Sequence, residues 1–337
     1  MPKPPDGRHS LPRLHDSASA ASPGALPVCR VRFTAFALAE IACGPEQGVH
    51  LRGALGVHLR ALECPSPDRD PCPHCDDRAP CSYRLAFSAR AAADRDPPSA
   101  RADGARPYFV RPQLGRTAVG PGQTFEFELW ALGPLAPRLP DLVRALLPLQ
   151  ASGLGHRSAQ FRLAHADFLD PTGEVIERVE HLQLLRDHAT LGWLLEFPGV
   201  DRSEELGEVE LQFLTPTRLS HAGQPLPVPT LAAVVDAIGR RSRDLLTRWG
   251  LPEAPLHWPL HIRAELIDWS GAWRSMGRRS RSQLGSHHDL SGFVGQVRYR
   301  GYLAELVPWL RVAELLHIGS NIPFGCGQLK VAYRPLS

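Results

Sequence analysis

PDLVRALLPLQASGLGHRSAQFRLAHADF (residues 140–168) and LAELVPWLRVAELLHIGSNIPFGCGQLKVAYR (residues 303–334) share a three-part pattern. Each opens with apolar residues at helical spacing, passes through a glycine-rich turn and ends in apolar–polar alternation of period two. A helix, a tight turn and a strand occurring twice predict a duplicated unit. Outward from the first copy, TFEFELWAL (124–132) alternates cleanly, with RPYFVRP (106–112) and SYRLAFS (82–88) before it. Further upstream, LRGALGVHLRAL (51–62) has helical spacing and VCRVRFTAF (28–36) alternates as a strand does. The second copy is preceded by a strand EVELQFLTPTRL (208–219), a helix TLAAVVDAIGRRSRDLLTRW (230–249) with Thr230 at its start, and strands LHIRAELIDW (260–269) and GFVGQVRYRG (292–301). Both halves read as βαββαβ. The expected class is α+β: tandem ferredoxin-like domains at 27–205 and 206–337, behind a disordered tail at 1–26 rich in Pro, Ser and charge.

Between the copies, residues 169–205 are acidic and irregular, and we expect a hairpin or insertion that faces away from any polyanion. The net charge of +3 conceals an asymmetry. Residues 1–213 carry 23 Lys/Arg against 27 Asp/Glu, and residues 214–337 carry 15 against 8. Nearly all the cations are arginines, since Lys3 and Lys330 are the only lysines. Arginine forks suit phosphate but do not release a proton near neutral pH, which nearly excludes a lysine general base. No run approaches the apolar length of a membrane span, and the start has no signal-peptide core, so a cytoplasmic protein is expected.

Three segments carry chemistry. Gly319-Ser-Asn-Ile-Pro-Phe-Gly325-Cys-Gly327 joins a helix to a strand, where bare amides can approach a phosphate chain, although any tight turn would also use glycine. Before Gly292, DWSGAWRSMGRRSRSQLGSHH reads as a basic loop in which Arg274, Arg278, Arg279 and Arg281 interleave with Trp269 and Trp273. Guanidiniums on phosphates and indoles on unpaired bases suit single-stranded or hairpin RNA, against the plainer reading of a solvated charge run. Four of the seven cysteines, Cys64, Cys72, Cys75 and Cys81, fall in one proline-rich loop (64–81) with His74 among them. Four thiolates closing a tetrahedron around zinc would make a structural site, because no position is left for water. An unliganded loop and a zinc knuckle touching RNA are the alternatives. Cys29, Cys43 and Cys326 read as buried thiols.

Taken in order, the LRGALG helix followed by C…CPHC…C, the LTPTRL strand, the DW…GRRS…GFVGQVRY stretch and the ending LLHIGSNIPFGCGQLKVAY resemble one family over about residues 28–337. It is that of the CRISPR precursor-RNA-processing endoribonucleases, in the repeat-associated mysterious protein (RAMP) superfamily. The resemblance implies a metal-independent enzyme that cuts CRISPR repeat RNA by attack of a 2′-hydroxyl on the adjacent phosphorus. The products are a 2′,3′-cyclic phosphate and a 5′-hydroxyl. Repeat RNA is the implied partner, with other subunits of a CRISPR effector complex beside it.

The resemblance also implies a histidine base from the first helix or just beyond it, facing the glycine-rich loop of the second domain. Here the stretch after the helix is the cysteine segment. His58 inside the helix is therefore the leading candidate, against a helix histidine with no catalytic role. His317 stands where such a loop commonly begins with glycine, and it reads as base, acid or phosphate ligand, or as a residue closing the last helical turn. His50, near the helix start, is third. His287 and His288 in the basic loop suit RNA binding better than cleavage. Two other function classes stand beside the enzyme: a non-catalytic RNA-binding subunit with the same fold and no base, and a zinc-stabilised protein-interaction module using the acidic face.

Overall fold

The computed structural model describes residues 25–64, 67, 81–87, 106–182, 192–198, 205–249, 262–279 and 287–336. The predicted tail and Cys72, His74, Cys75 and Arg281 lie outside them, and so does most of the loop 64–81. The first half contains β1 (Leu26–Ala37), α1 (Pro45–Glu63), α2 (Ser82–Phe87), β2 (Tyr108–Arg111), β3 (Thr124–Leu132), α3 (Leu139–Leu146), β4 (Phe161–Leu169), β5 (Val175–Val179) and β6 (Trp193–Leu195). The second contains β7 (Leu206–Thr217), α4 (Leu231–Arg248), β8 (Arg263–Arg274), β9 (Gly292–Tyr302), α5 (Val307–Leu316) and β10 (Leu329–Pro335). The sheets are antiparallel, ordered β2-β3-β1-β4-β5 and β8-β9-β7-β10, with β6 also pairing with β1. In each half the first strand lies between the third and the fourth, so the two four-strand sets are topologically the same.

The acidic segment supplies two of the added strands. Asp170 opens the turn before β5, its Oδ1 accepting from the amides of Thr172, Gly173 and Glu174. β5 then pairs along β4, where Arg178 meets buried Asp167 at 2.6 Å. SYRLAF is a short helix. α1 begins at Pro45, a full turn and more before the apolar spacing starts, because Pro45 follows Gly44 in a left-handed conformation (φ 89°) and Glu46 favours a first helical turn. Thr230 caps α4, its side chain accepting from the Ala233 amide.

Two cores result. Val31, Phe33 and Ala35 of β1 meet Leu51, Leu55 and Leu59 of α1 and Leu142 and Leu146 of α3. The opposite face of the same sheet contributes Leu26, Val28, Phe109, Trp130 and Leu132 to a core shared with Val234, Ile238, Leu310 and Leu316 of the second half's helices. This explains why the alternation of TFEFELWAL stops at its end: Leu129 to Leu132 are covered on both faces.

α1 touches the second half through Gly48, where an added Cβ would lie 2.2 Å from the Phe324 carbonyl oxygen. Gly53, five residues on, has nothing within 4 Å. Glycine to alanine in an open helix position stabilises by about 0.5–1 kcal/mol, so Gly53→Ala should raise the melting temperature. Gly48→Ala should lower it, because the overpacked junction costs about 1–3 kcal/mol. Parallel thermal melts of the two variants check the opposite signs.

Candidate RNA-processing site

The junction between the halves is built around one arginine. Arg111, at the end of β2, crosses to the last turn of α5, where its Nη2 donates to the carbonyls of Glu314 (2.7 Å) and Leu315 (3.2 Å). Its Nε donates to His317 Nε2 at 2.8 Å. Arg241 of α4 donates to the next carbonyl, Leu316, at 2.7 Å. Two guanidiniums thus cap a helix C-terminus, where carbonyls lack helical partners and the dipole is negative. Glu128 pairs with Arg30 at 2.8 Å and with Arg111 at 3.7 Å, and both guanidiniums lie over the Trp130 ring. Burial alone would raise the Glu128 carboxyl, but Arg111, Arg30 and the Trp130 indole hold it below the usual range. Burial brings Arg111 down to about 10 and Arg241 to about 9.

His317 is fully buried, with φ 59°, and packs on Phe109 at 4.4 Å between ring centroids. Since Arg111 donates to Nε2, the proton sits on Nδ1, which donates to the Cys326 carbonyl at 3.1 Å. Burial first, then the Arg111 and Arg241 charges, push its pKa well below the ordinary imidazole value, against the opposing Cys326 bond. Both nitrogens are engaged within the protein, and no lone pair faces solvent.

The glycine-rich loop is similarly occupied. Added Cβ atoms would lie 2.8 Å from Pro112 Cδ at Gly325, 2.0 Å from the Ile318 carbonyl oxygen at Gly327 and 2.7 Å from that of Arg218 at Gly319. These glycines bring backbone onto backbone. The Gly325 amide donates to Ile322 and the Gly327 amide to Pro216. Gly325 and Gly327 are buried, and the outward part of the loop is Gly319, Ser320 and Asn321.

Around that outward part the structure assembles residues that lie far apart in the sequence. Arg218 touches the loop through its carbonyl, bonds Asp289 at 2.5 Å and has its guanidinium 6.0 Å from the Trp273 ring centre. Asn321 donates to the Asp289 carbonyl at 3.1 Å. Trp273 and Arg274 lie on β8 rather than in a loop, continuing the strand expected to end at Trp269. SGA at 270–272 has no strand signature, and pairing with β9 decides its state. Gly271 and Gly295 oppose each other there with φ near 150°, and the Phe293 ring lies against both. β8 is an edge strand, with Trp269, Trp273 and Arg274 exposed. Beyond it, Gly277–Arg279 pairs with His287–Asp289, so Arg278 and His288 are partners in a short ribbon.

That ribbon is rooted on α1. Met276 and Leu290 at its base pack with Phe324, Cys326 and Val49. His50 follows immediately, half-buried, its ring 5.3 Å from that of His156. His58 lies two turns farther along α1, with Nε2 3.2 Å from Ser152 Oγ, and burial lowers its pKa. The ribbon root and the inner part of the loop therefore meet α1 at Val49, the residue before His50 in the sequence, while His58 faces the helical turn Leu149–Ser152. Arg111, Arg218, Arg241 and Gly48 do not stand out in the sequence, where each looks like any other strand or helix residue.

Cys64 and Cys81 lie at the end of α1 and the start of α2, both half-exposed. Among the described residues, no group of three or more His, Cys, Asp or Glu is placed to hold a metal ion. The other two thiols of the proposed zinc set lie outside those residues, and the pair that flanks the segment has the soft donor chemistry zinc favours. No described helix is long and apolar enough to cross a membrane.

Residues 211–329 match the model of the CRISPR-associated endoribonuclease Cas6 family. The second half carries a Cas6 domain. The match covers the LTPTRL strand, the GRRS stretch and most of the glycine-rich ending, three of the four stretches on which the RAMP resemblance rests. A model described as an N-terminal domain matches residues 26–189. Among solved structures, a Cas6 product complex is similar over 92% of this chain and 99% of its own, at 16% identity and a TM-score of 0.48. A Cas6-related protein from Pyrococcus furiosus is similar over 90% of this chain and 98% of its own, at 10% identity and a TM-score of 0.42. A RAMP protein binding different RNA substrates is similar at 9% identity over 90% of this chain and 99% of its own, with a TM-score of 0.45. No curated protein sequence matches the chain.

Proposed function

We propose that the protein is a processing endoribonuclease with two ferredoxin-like domains, cutting CRISPR repeat RNA by 2′-hydroxyl attack without a catalytic metal. The observation that supports the reading is the packing of the basic ribbon's root and of Phe324 and Cys326 in the glycine-rich loop on Val49, next to His50 in α1. In-line attack needs a base at the 2′-oxygen, positive charge at the phosphoryl oxygens and a proton for the leaving 5′-oxygen. His50 takes the base role in preference to His58, since it stands beside the ribbon root. His317 acts as a junction residue, because a base needs an accessible lone pair and both of its nitrogens are used. The ribbon arginines bind phosphate, while Trp269 and Trp273 offer flat faces to unpaired bases. Repeat RNA is the partner, with subunits of a CRISPR effector complex as further ones.

Purified protein incubated with repeat RNA in EDTA, alongside a zinc-loaded control, should yield 2′,3′-cyclic phosphate and 5′-hydroxyl ends. RNA bound tightly and left uncut would identify the non-catalytic subunit instead. Replacing Arg278, Arg279 and Arg281 with Ala should weaken binding and reduce the salt slope by roughly one unit for each phosphate that no longer has an arginine to neutralise it. An unchanged slope in folded protein would remove the ribbon from the RNA site.

Zinc bound by Cys64, Cys72, Cys75 and Cys81 would contribute folding energy rather than chemistry. Cys72→Ser with Cys75→Ser should release metal and lower the melting temperature, leaving cleavage intact in the folded fraction. Native protein free of zinc by elemental analysis would sink this assignment.

A further inference from the structure

The first half has its own glycine-rich turn, SGLGHRS at 152–158, which the RNA site described above does not use. Gly155 adopts φ 78°, and an added Cβ would come within 3.2 Å of His50 Nδ1. Lacking a side chain, this residue lets the turn lie against α1 and carries the next residue, His156, onto His50. The two imidazoles meet edge to face at 82°, with ring centres 5.3 Å apart. His156 is exposed and His50 half-buried, so the pair lies at the protein surface. Arg157 follows with its side chain 85% exposed, adding a cation beside the pair, 3.5 Å from Glu40. His58, by contrast, meets a serine, and His317 is enclosed by Arg111, Phe109 and Cys326.

In-line displacement at phosphorus requires two proton transfers on opposite sides of the reacting centre, and a single histidine cannot be on both. We propose that His156 is the general acid that protonates the leaving 5′-oxygen while His50 serves as the base. The assignment rests on the endoribonuclease reading and extends it to a residue outside the ribbon and the second half's loop. His50 removes the 2′-hydroxyl proton as that oxygen's electron pair forms the new bond to phosphorus. The bond from phosphorus to the 5′-oxygen breaks, its pair stays on that oxygen, and the proton of His156 is transferred there. The products are the 2′,3′-cyclic phosphate and the 5′-hydroxyl, with His50 protonated and His156 neutral. Exchange with water resets both.

A 5′-bridging sulfur separates the two roles, because a thiolate leaves without needing a proton. Single-turnover cleavage of ordinary repeat RNA by the full-length His156→Ala protein should fall about 10²–10⁴-fold, with RNA affinity unchanged. On RNA carrying sulfur at the scissile 5′ position, His156→Ala should recover near wild-type rate while His50→Ala stays slow. Wild-type speed of His156→Ala on ordinary RNA would overturn the proposal, as would a defect that sulfur does not relieve. Wild-type protein that binds repeat RNA and never cuts it would overturn the enzyme reading as well, so the two failures are distinct.

Discussion

Single-turnover cleavage of repeat RNA by the His50→Ala protein should fall about 10²–10⁴-fold, with affinity for the RNA nearly unchanged. The effect is confined to the chemical step because a base acts on a proton that moves only in the transition state. In the proposed reading, phosphate and base contacts are supplied elsewhere, by the ribbon and by β8. His58→Ala, two turns along the same helix, should cleave at nearly the wild-type rate, since its ring is engaged by Ser152. Parallel rate and binding measurements on the two variants decide between them. If His58→Ala is the slow one, the base lies toward the turn at 149–152 and the RNA path must run along that side of α1.

The second large effect concerns stability. Arg111→Met keeps most of the side chain's volume and removes its charge. It leaves the carbonyls of Glu314 and Leu315 and the Nε2 of buried His317 without the guanidinium. Breaking one member of a buried ionic network costs about 3–5 kcal/mol. That is a large share of the roughly 5–15 kcal/mol that holds a domain folded. Arg111→Lys should not rescue it, because one ammonium cannot serve a ring nitrogen and two carbonyls in the plane of a fork. Denaturant melts of both variants measure the loss. A midpoint unchanged in either would show that the shared apolar core, and not this arginine, holds the halves together.

The repeated helix–turn–strand pattern makes the element order legible, since periodicity reports which face of each element is buried. The sheet order follows the same logic. The site is harder to read, for three physical reasons. Trp273 and Arg274 read as loop residues because Ser270, Gly271 and Ala272 have no strand propensity of their own, and the hydrogen bonds of β9 supply what propensity does not. The glycines at 319, 325 and 327 announce close approach correctly, but a sequence does not say whether the approaching group is a phosphate or the protein's own backbone. Here Pro112, Ile318 and Arg218 are the neighbours. His317 cannot be judged from spacing, because the partner that engages its Nε2, Arg111, lies more than two hundred residues away in the sequence.

The core that runs from Leu26, Val28, Phe109 and Trp130 into α4 and α5 bears on how RNA is captured. Two lobes joined by a thin seam can swing apart and close over a ligand. Lobes that share one close-packed interior have no such hinge, since opening them would bring those indole and phenyl rings into water. On the proposed reading, the two halves would therefore not swing apart to admit RNA. With no closure of the two halves to pay for, the proposed RNA site should bind a repeat already folded into the bound shape more tightly than a slack one of equal charge.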